Sequence, residues 1–243
     1  MVSRVALEDL AVPRPSVLPS AHFGISAFGE LLSDPSRVAM LLSLMDGRAR
    51  PATELGDIAR VTRPTASSHL RRLLEGEMVS VERIGRHRYF RLKSEQVADL
   101  LETLALFGPP PRPAHEDPVR RALAHARTCY RHLAGQLGVA FLDALEQKGL
   151  LCVADGTLAL AQGGVASFES LGLKVERWPT GKACLDWTER RHHLGGELGA
   201  LLTRHLFTVG WLRRGEGRAV EVSRAGEREF ARRFGLPASL LRP

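Results

Sequence analysis

A chain of 243 residues with 44% hydrophobic and 25% charged content is long enough for two folded domains and has an ordinary globular composition. Its net charge of +7 favours a polyanionic partner, and only clustering of that charge separates such a partner from a membrane surface or simple solubility. No apolar run reaches the length of a membrane span, and three widely spaced cysteines argue against a secreted disulfide scaffold, so the expectation is a cytoplasmic protein with reduced thiols.

Residues 1–22 contain Pro13, Pro15 and Pro19 and little periodicity, which reads as a mobile arm or a strap along a partner subunit. Two amphipathic segments follow from Ile25 to Met45, broken at Ser33, Asp34 and Pro35, where Asp34 or Ser33 can cap a helix opened by Pro35. The run TELGDIA from Thr53 is next, then Val61, Thr62 and Arg63, then a second helical run from Pro64. Thr62 suits the N-cap and Pro64 the first turn of that second helix. Ala66, Leu70, Leu73 and Leu74 recur near a 3.6-residue period and should pack inward. Arg63, Thr65, Ser67, Ser68, His69, Arg71 and Arg72 remain for a polar face, and the whole is a helix-turn-helix pattern for reading DNA.

After Gly76 the period shortens. Met78 to Leu92 holds two β-prone runs split at Gly85, a hairpin that would serve as a wing, with Arg83, Arg86, His87 and Arg88 at its tip. Between Arg60 and Lys93 nine cationic residues face three acidic ones, so most of the chain's net charge sits here. Base contacts are expected from Arg63, Thr65, Ser67, Ser68 and His69. Phosphate or minor-groove contacts are expected from Arg71, Arg72, Arg83, Arg86 and Arg88.

Three strings in this region, LLSDPSRVAMLLSLMDG, SSHLRRLLEGEMV and IGRHRYFRL, stand in the order and spacing of one family. From Phe28 to Leu92 the chain resembles the ArsR family of small winged-helix repressors. The resemblance implies a homodimer on double-stranded operator DNA, with the run SEQVADLLETLALF (Ser94 to Phe107) building the dimer interface. By its own pattern that run is a helix with Ser94 at the N-cap and apolar positions at Val97, Leu100, Leu101, Leu104 and Leu106. The two familiar metal sites of the family are absent: TELGDIA lacks the cysteine box, and the dimer run has Asp99 but no histidine.

Residues 23–107 thus form one domain, the Pro-rich stretch 108–117 a spacer, and 118–243 a second domain. That second domain repeats itself at a shift of 61: HLAGQLGVAFLDALEQKGLL from His132 aligns with HLGGELGALLTRHLFTVGWL from His193. Each copy, about 132–173 and 193–236, reads as helix, short hairpin, helix. The expected class is mainly α with small β-wings (α+β): an N-terminal winged helix-turn-helix and a C-terminal domain of two repeated winged-helix-like units, neither with a DNA-reading helix. Through RTCYRHLAGQLGVA and ACLDWTERRHHLGGELGA this half also resembles the effector portion of some ArsR-type regulators, which implies a sensor or dimer-stabilising domain.

Cys129 precedes His132 by three residues, read here as one helical turn, and Cys184 precedes His192 and His193 in the second copy. If the copies pack together, these thiols and imidazoles could hold a thiophilic ion: zinc, cadmium, mercury, copper(I) or trivalent arsenic. Alternatively Cys129 and Cys184 form a redox pair beside Arg127, Arg131 or Lys182, or they are small buried hydrophobes, as is expected of Cys152. No phosphate loop, nucleophile elbow or HExxH string is present, so no enzyme is expected. The reading is a homodimeric repressor released from DNA by an ion, oxidant or small molecule sensed in the C-terminal half. The competing reading is a protein-docking or small-molecule-binding module whose winged helix does not read DNA.

Overall fold

The computed structural model describes residues 20–107, 118–154 and 157–242; most of the N-terminal arm and the whole Pro-rich spacer lie outside them. The N-terminal part opens with α1 (Ser20–Leu32), three residues earlier than the boundary read from sequence, and α2 (Pro35–Ser43). Asp34 is the cap of α2: its carboxylate accepts from Ser36 N at 2.8 Å and Arg37 N at 3.1 Å. Buried Arg37 then ties α2 to the end of α1, donating to the carbonyls of Leu31 and Glu30 at 2.7 Å each. After a 3-10 turn at Leu44–Asp46 come β1 (Arg50–Pro51), α3 (Ala52–Ile58), α4 (Arg63–Glu75), β2 (Val79–Ile84), β3 (His87–Leu92) and α5 (Glu95–Leu106). The three strands form one antiparallel sheet in the order β1-β3-β2.

The inward residues of these elements make one core, including Met40, Leu44, Leu55, Leu70, Leu73, Met78, Phe90 and Leu101. Leu74 is only half-buried against it. Ser94 stands at the cap position of α5 but makes no side-chain capping bond.

The second part begins with α6 (Pro118–His125). It continues as β4 (Arg127–Cys129), β5 (His132–Ala134), α7 (Gly135–Gln147), β6 (Leu151–Ala154), β7 (Thr157–Leu160) and α8 (Gln162–Glu169). The second copy runs β8 (Lys182–Leu185), β9 (His192–Gly195), α9 (Gly196–Thr208), β10 (Leu212–Arg214), β11 (Val220–Val222) and α10 (Arg224–Glu229). A π-turn at Phe230–Phe234 and a short α11 (Ala238–Leu241) close it. Each copy therefore carries a hairpin ahead of its first long helix, whose second strand, β5 or β9, occupies residues that the sequence pattern assigns to the start of that helix.

The copies pack reciprocally, α7 on β9 and α9 on β5. Glycines let each long helix lie close on its own hairpin, next to the other copy's histidine. A Cβ on Gly138 would sit 2.5 Å from Leu133 O, and one on Gly199 2.2 Å from Leu194 O and 3.1 Å from the His132 side chain. The shared core is apolar and aromatic, with Trp211, Phe141, Phe230 and Phe234 meeting edge to face, so Trp211 is a packing residue.

The two parts are joined by charge. Arg127 is fully buried and reaches Glu102 of α5 at 3.6 Å and Asp186 at 3.0 Å, while Arg218 meets Glu102 at 3.2 Å. Nearer the surface, Lys182 pairs with Asp99 and with Glu95 (2.9 Å), and Arg131 lies 3.8 Å from Glu95. Truncating one member of a buried ionic group strands the others without compensation. Glu102→Ala should therefore lower the unfolding free energy by about 3–5 kcal/mol in a chemical denaturation experiment, whereas an exposed pair such as Lys93–Glu77 should matter by less than about 1 kcal/mol.

Candidate nucleic-acid interface and a buried cysteine–histidine cluster

The helix-turn-helix forms as its residue types require. Thr62 caps α4, accepting from Thr65 N, with Pro64 in the first turn, and Ala66, Leu70 and Leu73 are buried. Arg63, Thr65, Ser67, Ser68, Arg71 and Arg72 stand exposed along the opposite face. His69 does not join them. Its side chain is 13% exposed and turned onto α2, with Nε2 3.7 Å from Asp34 and Nδ1 3.4 Å from Arg37, so it braces the helix pair rather than facing outward.

The β2–β3 hairpin turns through Gly85 at φ +61°, the conformation a tight hairpin asks of the first turn residue. Arg83 pairs in register with Arg88, and Arg83, Arg86 and Arg88 are all exposed. Among the described residues, carboxylates pair with wing cations toward its base, where Arg91 meets Glu82 at 2.8 Å and Lys93 meets Glu77 at 3.3 Å. The tip cations are left for an anionic surface.

The second constellation lies in the C-terminal half and differs from the sequence expectation in its secondary structure. Cys129 and His132 do not share a helix face; they are cross-strand partners in the β4–β5 hairpin. Cys184 and His193 hold the same relation in β8–β9. Since β5 lies against β9, the four side chains converge, with potential donor atoms all within 4.8 Å of one another. The sulfurs are 4.0 Å apart, and His193 Nε2 is 3.2 Å from His132 Nδ1. All four residues are buried.

His192 is excluded because successive strand residues point to opposite faces, and its side chain is exposed. Cys152 is also exposed, on β6 of a peripheral hairpin, and is not the core residue expected of it.

Residues that sequence reasoning passed over orient this cluster. Asp186 Oδ2 lies 3.4 Å from His193 Nδ1, accepts from Gly135 N at 2.7 Å and faces Arg127. Thr188 donates its N–H and hydroxyl to the other carboxylate oxygen. The signal available in the chain was a carboxylate in the short loop between a cysteine and a histidine, which is weak alone. Burial opposes the charge on Asp186, but the bonds from His193, Arg127, Thr188 and Gly135 outweigh it and hold the carboxyl far below the usual range. Burial would likewise lower His193, yet its bonds to Asp186 and Cys184 raise it to about 9. Burial, reinforced by His193 and nearby cations, keeps His132 neutral. Of the thiols, Cys184 is drawn down to about 6 by the bond from Cys129 and then by His193, while Cys129 is pushed up by the same bond and by burial.

Residues 32–82 match the model of the helix-turn-helix domain family. Over 220 residues the chain is 40% identical to the "Uncharacterized HTH-type transcriptional regulator YdfF" of Bacillus subtilis, spanning 87% of this chain and 97% of that one. The chain belongs to the HTH-type transcriptional regulators. This membership points to a DNA-binding regulator rather than an enzyme. Among solved structures, NolR from Sinorhizobium fredii is 22% identical at a TM-score of 0.35, covering 39% of this chain and 96% of its own. A homodimeric winged helix-turn-helix DNA-binding domain from Mycobacterium bovis, a possible ArsR-family regulator, is 23% identical at a TM-score of 0.33, covering 39% and 88%. No helix among the described residues of the regulator is long and apolar enough to cross a membrane.

The Asp34 cap offers a check on the regulator's helix pair. The Asp34 carboxyl is held low: burial acts against the shift, and the backbone bonds from Arg37 and Ser36, with His69 and Arg37 nearby, prevail. A depressed folded pKa stabilises above the unfolded value and loses that contribution as pH falls through the folded one. Asp34→Ala should cost about 1 kcal/mol at neutral pH. Asp34→Asn, which can still cap, should narrow its deficit against the parent as pH drops below about 4, read from denaturation midpoints across pH.

Proposed function

We propose that this regulator is a homodimeric repressor of the ArsR type that binds double-stranded operator DNA and is released when its C-terminal half responds to an effector: an ion, an oxidant or a small molecule. The observation that carries the DNA reading is the exposed polar face of α4 beside a wing tip bearing Arg83, Arg86 and Arg88. A helix of this width fits a major groove, and the wing cations then reach flanking phosphate. Arg63, Thr65, Ser67 and Ser68 would read base edges, while Arg71, Arg72 and the wing set affinity without sequence preference.

The homodimer reading is supported by an apolar stripe on α5, where Leu100 (37% exposed) and Leu104 (40% exposed) lie one turn apart with Phe107 beyond. Each C-terminal copy is read as a winged-helix-like unit that no longer reads DNA, because α7 and α9 are buried along most of their length. The route from effector to DNA is α5 itself. The same helix that would set the spacing of two reading helices carries Glu95, Asp99 and Glu102, all engaged by cations of the C-terminal half. A change there alters the distance between two α4 helices, to which paired major-groove contacts are sensitive.

Fluorescence anisotropy with the DNA upstream of the protein's own coding region, against random-sequence competitor, tests the reading. Preferential binding is expected; binding without preference would favour a docking module. Arg86→Ala should weaken binding to every sequence and reduce the slope of log affinity against log salt by about 1. Ser68→Ala should instead change the ranking of sequences at nearly constant slope.

A further inference from the structure

The two repeats contribute equally to the buried cluster, one cysteine and one histidine each, and no apolar residue stands between them. A core built only for packing would be filled with hydrocarbon here. Instead two buried imidazole nitrogens face each other at 3.2 Å, which needs a proton or a cation between them. We propose that Cys129, Cys184, His132 through Nδ1 and His193 through Nε2 form a closed tetrahedral site for one divalent ion with the chemistry of zinc.

Bond lengths support this assignment. A tetrahedral ion with metal–sulfur bonds of about 2.3 Å and metal–nitrogen bonds of about 2.0–2.1 Å has a sulfur–sulfur edge of about 3.8 Å and a nitrogen–nitrogen edge of about 3.3 Å. The corresponding separations here are 4.0 Å and 3.2 Å. Charge is also accommodated, because two thiolates neutralise one divalent ion, while Arg127 and Arg218 balance Glu102 and Asp186 alongside. Two sulfurs and two imidazoles select zinc-like ions over magnesium or calcium, which require oxygen.

The surroundings have the features of a ligand shell as well. Asp186 faces the outer nitrogen of His193, the carboxylate–histidine arrangement that orients metal-bound imidazole, and is itself locked by Gly135 N and Thr188. The outer nitrogens of both imidazoles, His132 Nε2 and His193 Nδ1, are buried without a hydrogen bond, and of the two only His193 Nδ1 has a carboxylate beside it, at 3.4 Å. Four protein donors leave no open position, so the ion holds structure: it cross-links the β4–β5 hairpin of the first copy to the β8–β9 hairpin of the second.

This assignment stands whether or not the chain binds DNA, and its test needs none. The reduced, metal-free full chain is titrated with Co²⁺ under anaerobic conditions, and bound metal per chain is counted after Zn²⁺ displacement. One ion per chain is expected, with the intense visible bands of tetrahedral cobalt and a thiolate-to-cobalt charge-transfer band. Cys129→Ser and Cys184→Ser should each lose charge-transfer intensity, and His192→Ala should leave the spectrum unchanged. Asp186→Asn should keep the spectrum but weaken affinity about 10–100-fold. The site is refuted if the folded parent chain takes up no cobalt, or if Cys184→Ser binds it with the parent spectrum. The parent titration requires no variant to fold, and circular dichroism verifies folding of each substituted chain.

Discussion

Arg127 is the constraint on which the rest of the molecule depends. A guanidinium with no exposure to water is tolerable only where its surroundings answer its charge. Here the answers come from every part of the fold: Glu102 from the DNA-reading part, Asp186 and Thr188 from the second repeat, Leu123 O from the helix just before it, and the Trp187 ring at 4.9 Å. The position of α5 against the C-terminal half follows from that demand. Exposed pairs such as Lys182 with Glu95 add direction to the same contact but are screened by salt and water.

Asp186 links this joint to the cysteine–histidine cluster. One carboxylate faces both Arg127 and His193, so the charge of the cluster and the seating of α5 bear on the same oxygen. The contact is a short physical route between the cluster and the part that carries the helix-turn-helix. Such a route changes the reading helix only by differential stabilisation of two arrangements, which is the form allosteric coupling takes.

Duplication explains why four ligand-type residues meet at one point. Each hairpin pairs a cysteine with a histidine, and the copies pack each long helix on the other's hairpin, so equivalent side chains are brought together in the middle. Gly138 and Gly199 seat each long helix on its own hairpin, since each lies over a carbonyl of that hairpin at a distance no side chain would allow, and Gly199 also meets the His132 side chain of the other copy. The DNA reader uses a simpler plan in which local signals suffice: a cap, an apolar stripe and a tight turn.

That difference marks what the amino-acid order determined by itself. The Asp34 and Thr62 caps, the 3.6-residue stripe of Ala66, Leu70 and Leu73, and the turn at Gly85 are short-range effects, so the helix-turn-helix, its wing and its cationic surface were legible from the chain. The repeat at a shift of 61 was equally legible as matching glycines and leucines. The cysteines and histidines stood out in the chain, but Cys129 and His132 read as neighbours on a helix and not as strand partners, because strands of three or four residues carry no periodicity of their own and HLAGQLGVAF reads as uninterrupted helix. Only tertiary structure chose His193 over His192, turned His69 away from the reading face, and gathered Asp186, Glu102 and Arg218 around Arg127. Those choices depend on which side of a strand or helix meets a neighbour distant in sequence, and on the long-range charge balance that a buried guanidinium imposes.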